Sequence, residues 1–253
     1  MPATSFKDYF SKQAADYAKY RPHYPAALFD YLASITAHHD AAWDCATGNG
    51  QVALGLAPYF QHIYATDASL QQITQAFPQE PIHYSVATAE HSGLADHSVD
   101  LITVGQALHW FDLERFYQEV RRVAKPNGAI AVWCYGFFEI PTAPEAVQQV
   151  LKSFYQLIEP FWTPERQSVN QGYRTLPFPF IEIKTPSFQM TARWTANDLI
   201  GYLSTWSATQ RFLQENDWEA IADFANQLRA QWGTPHSVES IQWQISLRIG
   251  QVS

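Results

Sequence analysis

The sequence predicts an α/β fold, a mostly parallel sheet with helices on both faces. Two observations carry that prediction. Between residues 41 and 134, short apolar segments recur, each too uniformly apolar to be a strand with one wet face. Between them lie stretches whose apolar residues fall at helical spacing.

The elements follow in order. Residues 1–39 read as helical and rich in Tyr, with a break at Arg21-Pro22-His23-Tyr24-Pro25, where proline favours extended backbone. Ala41–Cys45 is a first strand, and Gly48-Asn49-Gly50 turns the chain into a helix through Leu54. His62–Thr66 is a second strand ending on Asp67, after which Ser69 caps a helix with Leu70, Ile73 and Phe77 on one face. Ile82–Val86 and Val99–Val104 are the third and fourth strands. Asp112 caps a helix whose stripe is Leu113, Phe116, Tyr117, Val120 and Val123. Lys125-Pro126-Asn127-Gly128 is a tight turn into a fifth strand, Ala129–Cys134.

Beyond Tyr135 the alternation stops. Residues 144–158 form an amphipathic helix, followed by an aromatic, proline-rich segment from Pro160 to Pro179. Phe180–Met190 reads as one or two strands interrupted at Pro186. Thr195 and Asp198 make a capping box, and a later helix carries Trp218, Ile221, Phe224, Leu228 and Trp232. Ile241–Ile249 closes the chain as a strand. These late strands extend the same sheet, and the helices among them build a cap.

Composition narrows the function. With 253 residues, 47% hydrophobic and 16% charged, the chain is expected to be globular. A net charge of -8 without a run of Lys or Arg argues against nucleic acid or an anionic membrane as partner. No stretch is apolar enough to span a membrane, and the start is too polar for a signal peptide. Two cysteines, Cys45 and Cys134, without metal spacing point to a reducing, cytoplasmic setting. The nine Trp and 15% aromatics are enough to line a pocket as well as fill a core.

The first chemical signal is Asp44-Cys45-Ala46-Thr47-Gly48-Asn49-Gly50 directly after a strand. Glycines there let the backbone turn sharply and let a ligand come close, at the sheet edge where open α/β folds bind ligands. The second is Asp67, 19 residues after Gly48, placed to accept both hydroxyls of a ribose. Gly48-x-Gly50-x-x-Ala53 with Asp67 also satisfies the fingerprint of an NAD site, so the glycines alone do not choose a cofactor. Two features do. Asp44 would repel a pyrophosphate but suits a cation such as the ammonium of a methionyl group. After strand four comes Gly105-Gln106-Ala107-Leu108-His109-Trp110-Phe111.

In Trp43–Gln51, Ala65–Asp67, Val99–Phe111 and Ile130–Tyr135 the chain resembles S-adenosylmethionine-dependent methyltransferases of class I, in particular the trans-aconitate methyltransferase-like group. Ala46 and Thr88 depart from that group, which often has glycine and aspartate there. The resemblance implies a Rossmann-like, seven-stranded, mostly parallel sheet of order 3-2-1-4-5-7-6 with a helical cap. It implies one domain over 1–253, comprising an N-terminal helical lid (1–39), a cofactor-binding core (40–136), cap helices with strand six (137–235) and the last strand (236–253).

It also implies roles. Asp44, Ala46, Gly48, Asn49 and Gly50 would surround the methionyl part of S-adenosylmethionine, and Asp67 would hold the ribose. Ala68, Thr88, Ala89 and Glu90 would flank the adenine, with Gln106 near the sulfonium. Tyr17, Tyr20 and Arg21 would belong to the lid. His109 and Trp110 fall where the methyl group should point. His109 reads either as the base that takes a proton from a hydroxyl or amine acceptor, or as packing. The acceptor is expected to be a small molecule, a carboxylate or hydroxyl, and the protein a monomer or weak homodimer. Arg166, Arg174, Arg193 and Arg211 are candidate carboxylate partners, while Trp162, Trp194, Trp206 and Trp218 suit an apolar acceptor. The alternatives are an NAD-dependent oxidoreductase and a cofactor-binding protein without turnover.

Overall fold

A computed structural model describes residues 20–252. Tyr17 and the rest of residues 1–19 of the expected lid therefore lie outside the described residues.

A helix, α1 (Ala26–Ser34), follows its extended cap residue Pro25, so the break at the prolines falls where the sequence put it. Strand β1 (Ala41–Cys45) is buried along its whole length. It leads into α2 (Gln51–Leu56), then β2 (His62–Asp67), α3 (Leu70–Thr74), β3 (Ile82–Val86) and β4 (Val99–Gly105). A single 3-10 turn, Leu108–Trp110, precedes α4 (Leu113–Val123), which Asp112 caps by accepting the Arg115 N–H. Strand β5 (Ala124–Tyr135) follows.

The cap contains α5 (Glu145–Ile158), α6 (Arg166–Asn170), α7 (Ala196–Ser204), α8 (Ser207–Glu215) and α9 (Glu219–Trp232). Thr195 and Asp198 form the expected capping box on α7. Strands β6 (Ile181–Ile183) and β7 (Phe188–Trp194) precede β8 (Glu239–Gln251).

The sheet runs β3-β2-β1-β4-β5-β8-β6, with β7 also on β8. The first five strands are parallel, and β8 is antiparallel to β5, β6 and β7. Expected strand six is thus two strands, β6 and β7, that share one side of β8. Pro186 separates them, because it has no N–H for the ladder. Eight strands occupy the positions of seven.

Both faces of the sheet are covered. Ala42, Ala65, Leu101 and Trp133 face α1, α2 and the cap helices, while Trp43, Ile102, Val104 and Val132 face α4. Burial on both faces is why these strands read as continuous apolar runs.

Three expectations need correction. The Lys125–Gly128 turn lies inside β5: Val99 pairs with Ala124 and Leu101 with Ala129, so the extra residues bulge out, with Asn127 at φ +62°. Leu70 and Phe77 point outward, 64% and 63% exposed, and α3 buries Gln72 instead. A helix of five residues cannot present a stripe from 70 to 77. Trp218 precedes α9 and is 56% exposed, so it is no part of that helix's buried face.

Candidate active site

The glycine turn is built around two carboxylates. Asp44, buried near the end of β1, accepts from Thr47 Oγ1 (2.5 Å), the Ala53 N–H (3.1 Å) and Thr103 Oγ1 (3.0 Å). It therefore ties the turn and α2 to the neighbouring strand β4. Burial lifts its carboxyl to about 7 despite these donors. Asp67, at the end of β2, accepts from the Gly48 N–H and the Ser69 N–H, both at 2.9 Å. Since a carboxylate offers about four lone-pair sites, these bonds use two of them.

The backbone between the acids takes left-handed geometry at Ala46 (φ +55°), Gly48 (φ +58°) and Gly50 (φ +90°). A Cβ on Gly50 would collide with the Tyr84 hydroxyl, so this glycine is needed for space as well as for φ. Asn49 is buried inside the turn. Ala68 is half-buried after β2; beyond β3, Thr88 is exposed and Ala89 is buried. Glu90 accepts the Asp112 N–H at 3.0 Å, which links this loop to the start of α4.

A separate group lines a small cleft open to solvent, between the carboxyl ends of β4 and β5 and the cap. Arg21, Gln106, His109 and Trp110 meet there, joined by Arg166 and Trp206. Gln106, at φ +60°, is locked to β5: its Nε2 donates to the Tyr135 carbonyl at 2.9 Å and its Oε1 accepts the Tyr135 N–H at 3.3 Å. Arg21 donates to Tyr135 Oη at 3.5 Å and lies 5.4 Å from the centre of the Tyr202 ring, so it bridges core and cap.

His109 Nδ1 is 2.8 Å from Tyr173 Oη, and its ring is 4.7 Å from that of Trp110. Burial, then the charge of Arg166, lowers the imidazole to about 4, so it is neutral at pH 7.

Of the four arginines considered from sequence, Arg166 reaches the cleft. It sits 4.5 Å from the Trp162 ring centre and 5.4 Å from that of Phe137. Its Nε is sealed from solvent without a hydrogen bond, and it makes no ion pair among the described residues. Arg174 and Arg193 are exposed, and Arg211 bonds the Phe161 carbonyl. Of the tryptophans, Trp162 and Trp206 line the cleft, whereas Trp194 packs on Tyr202 and Trp243.

Sequence reasoning missed Thr47 and Thr103 as donors to Asp44, and Tyr173 entirely. The pattern Asp44-x-x-Thr47 was readable; the contact of Tyr173 with His109, 64 residues away, was not.

The cradle fits an adenosyl cofactor: left-handed glycines clear the approach, and acids end two adjacent parallel strands. No group of His, Cys, Asp and Glu able to hold a metal occurs among the described residues. No described helix is long and apolar enough to cross a membrane.

Known proteins agree with this geometry. Residues 43–132 match the methyltransferase domain family. A protein of Dictyostelium discoideum, provisionally named a methyltransferase, is 33% identical over 235 residues, covering 89% of this chain and 86% of its own. A Saccharomyces cerevisiae protein named as a probable S-adenosylmethionine-dependent methyltransferase is 28% identical over 163 residues, covering 60% of this chain and 55% of its own. A solved structure from Anaeromyxobacter dehalogenans, provisionally named a type II methyltransferase, superposes with a TM-score of 0.84 at 40% identity. It covers 92% of this chain and 98% of its own. Glycine turn, strand-end acids, strand order and relatives converge: this chain belongs to the class I S-adenosylmethionine-dependent methyltransferases.

Proposed function

We propose that this methyltransferase acts on a small-molecule acceptor and methylates a carboxylate oxygen. The observation that carries the reading is Arg166, a guanidinium in the cleft that makes no ion pair among the described residues. Arg166 is half-buried, and holding a cation partly out of water without a counter-ion is costly. Stacking on Trp162 and Phe137 offsets part of this. An arriving carboxylate would offset more, because the guanidinium fork matches two carboxylate oxygens.

Bound S-adenosylmethionine supplies an electrophilic methyl carbon on its sulfonium. The chain's part is to hold both reactants in line, which accounts for much of such a rate. In this reading Asp67 binds the ribose hydroxyls, and Gly48, Asn49 and Gly50 admit the methionyl part. Asp44, beneath the turn, supplies negative potential for the ammonium. Ala68, Thr88, Ala89 and Glu90 border the adenine. Gln106, fixed to β5, borders the sulfonium. Trp110 and Trp206 wall the cleft. A carboxylate arrives without a proton to lose, so no base is required.

The test is transfer of isotopically labelled methyl groups to a panel of carboxylic acids, alcohols and amines. Acids should accept. Arg166→Gln should raise the acceptor KM by about tenfold or more, the cost of a charge-assisted bond. Labelling of alcohols or amines but no acid would refute the reading.

A further inference from the structure

Tyr173 is fully buried; its hydroxyl lies 2.8 Å from His109 Nδ1, and its oxygen also accepts from the His109 backbone. The residue is held in place from several sides. Gly172 and Tyr173 both take left-handed φ, +62° and +59°. The Tyr173 N–H donates to the Ser168 carbonyl at 2.9 Å, and its carbonyl accepts from Arg248 Nη1 at 2.8 Å. Non-glycine residues in this region of φ persist where the surroundings over-determine them.

Both partners are neutral at pH 7. Burial raises the phenol well above its ordinary value, and the imidazole is lowered as described above. One hydrogen therefore lies between Oη and Nδ1, and two arrangements are open. If Nδ1–H donated, the phenolic hydrogen would be buried without an acceptor among the described residues, at about 1–3 kcal/mol. If Oη–H donates to the Nδ1 lone pair, no donor is left unmet.

We infer that Tyr173 donates to Nδ1 and so fixes the His109 tautomer that carries its hydrogen on Nε2, making His109 an N–H donor toward the acceptor and not a base. Nε2 makes no hydrogen bond among the described residues, and His109 lines the cleft together with Arg166. The Arg166 guanidinium and the Nε2–H thus offer donors to a common space. Such a space takes an oxygen that already carries its lone pairs. A hydroxyl or amine acceptor would bring a proton that this imidazole has no free lone pair to accept. Tyr173 is a positioning residue, acting through His109. The acceptor-holding role rests on the carboxylate reading above; the tautomer does not.

The experiment is long-range proton–nitrogen correlation NMR at neutral pH on the full-length, 15N-labelled protein, with His109→Gln used to assign the ring. The expected pattern is a protonated Nε2 and a bare, hydrogen-bonded Nδ1. A protonated Nδ1 or a charged ring would overturn the inference. Tyr173→Phe should move the Nδ1 resonance, since its lone pair loses a donor; an unmoved Nδ1 also overturns it. Benzoate serves as the anionic probe. It should shift the Nε2 resonance, with an apparent Kd raised about fivefold or more by Arg166→Gln. A silent Nε2 at the highest benzoate concentration refutes the donor role. Calorimetry with S-adenosylhomocysteine on the same samples keeps the outcomes apart: lost cofactor binding strikes the methyltransferase assignment and leaves the tautomer result standing.

Discussion

Ala46 carries a side chain at φ +55°, where a Cβ costs about 1–2 kcal/mol. Glycine would remove that strain but give back part of the gain in unfolded-chain entropy. Ala46→Gly should therefore stabilise the protein by about 0.5–1 kcal/mol in urea unfolding, and Ala46→Val should destabilise it. Equal stability of all three would mean that the turn relaxes to suit its residue. Asp44 makes a second prediction. Its folded-state value, about 7, lies above the ordinary 3.8, so its contribution to stability is complete below about pH 4 and is lost as pH rises through about 7. An ammonium near the turn would favour the charged form, so cofactor uptake should release a proton. Affinity for S-adenosylhomocysteine should then fall up to about tenfold per pH unit below about pH 7. Calorimetry across that range is the check, and a flat profile would rule out the ammonium contact. His109 has the opposite sign: lowered from 6.5 to about 4, it contributes stability above pH 6.5 that is lost as pH falls through about 4.

At the scale of elements, the loop between β3 and β4 is held mainly by side chains of α4. Glu119 accepts from the Ser92 N–H (2.8 Å) and Ser92 Oγ (2.5 Å) and pairs with Arg122, whose Nη1 also reaches the Leu94 carbonyl and Asp96. Burial works against the Glu119 charge, but the bonds from Arg122 and Ser92 prevail and hold it at about 2. Glu119→Ala should cost about 2–3 kcal/mol, since several donors lose their acceptor at once. Because Thr88, Ala89 and Glu90 open this loop, the same variant should weaken cofactor binding. Unchanged affinity in a measurably destabilised variant would separate the loop from the adenine site. The loop's composition announced none of this. Strands β1 and β4 were legible because burial on both faces forces apolar runs, and the helix caps at Asp112 and Thr195 because their chemistry is local. Helices α6 and α8 were not legible: each is short, and α6 lies in a proline-rich stretch where periodicity has no room to develop. The cleft was half legible. His109 and Trp110 follow a strand end, but Arg166 could be told from three other arginines only by its place in space.

For the whole molecule, the sequence pattern was enough to place the parallel half of the sheet, whereas the antiparallel half depends on one strand. β8 is hydrogen-bonded along one side to β5 and along the other to β6 and β7. It carries Ile241, Trp243, Ile245 and Ile249 into the core shared with the cap. Deleting residues 239–252 should therefore abolish cooperative thermal unfolding, even though the glycine turn and Asp67 are far away in sequence. A truncated chain that still melted in one sharp transition would show that the parallel half stands alone. The same arrangement has a consequence during synthesis. β8 leaves the ribosome after the other strands of this sheet, so until it emerges the nascent chain carries β5 with a bare edge, and β6 and β7 without a partner. Unpaired apolar edges invite pairing between chains. Slow emergence of residues 239–251 should thus raise aggregation more than an equal delay earlier in the sheet.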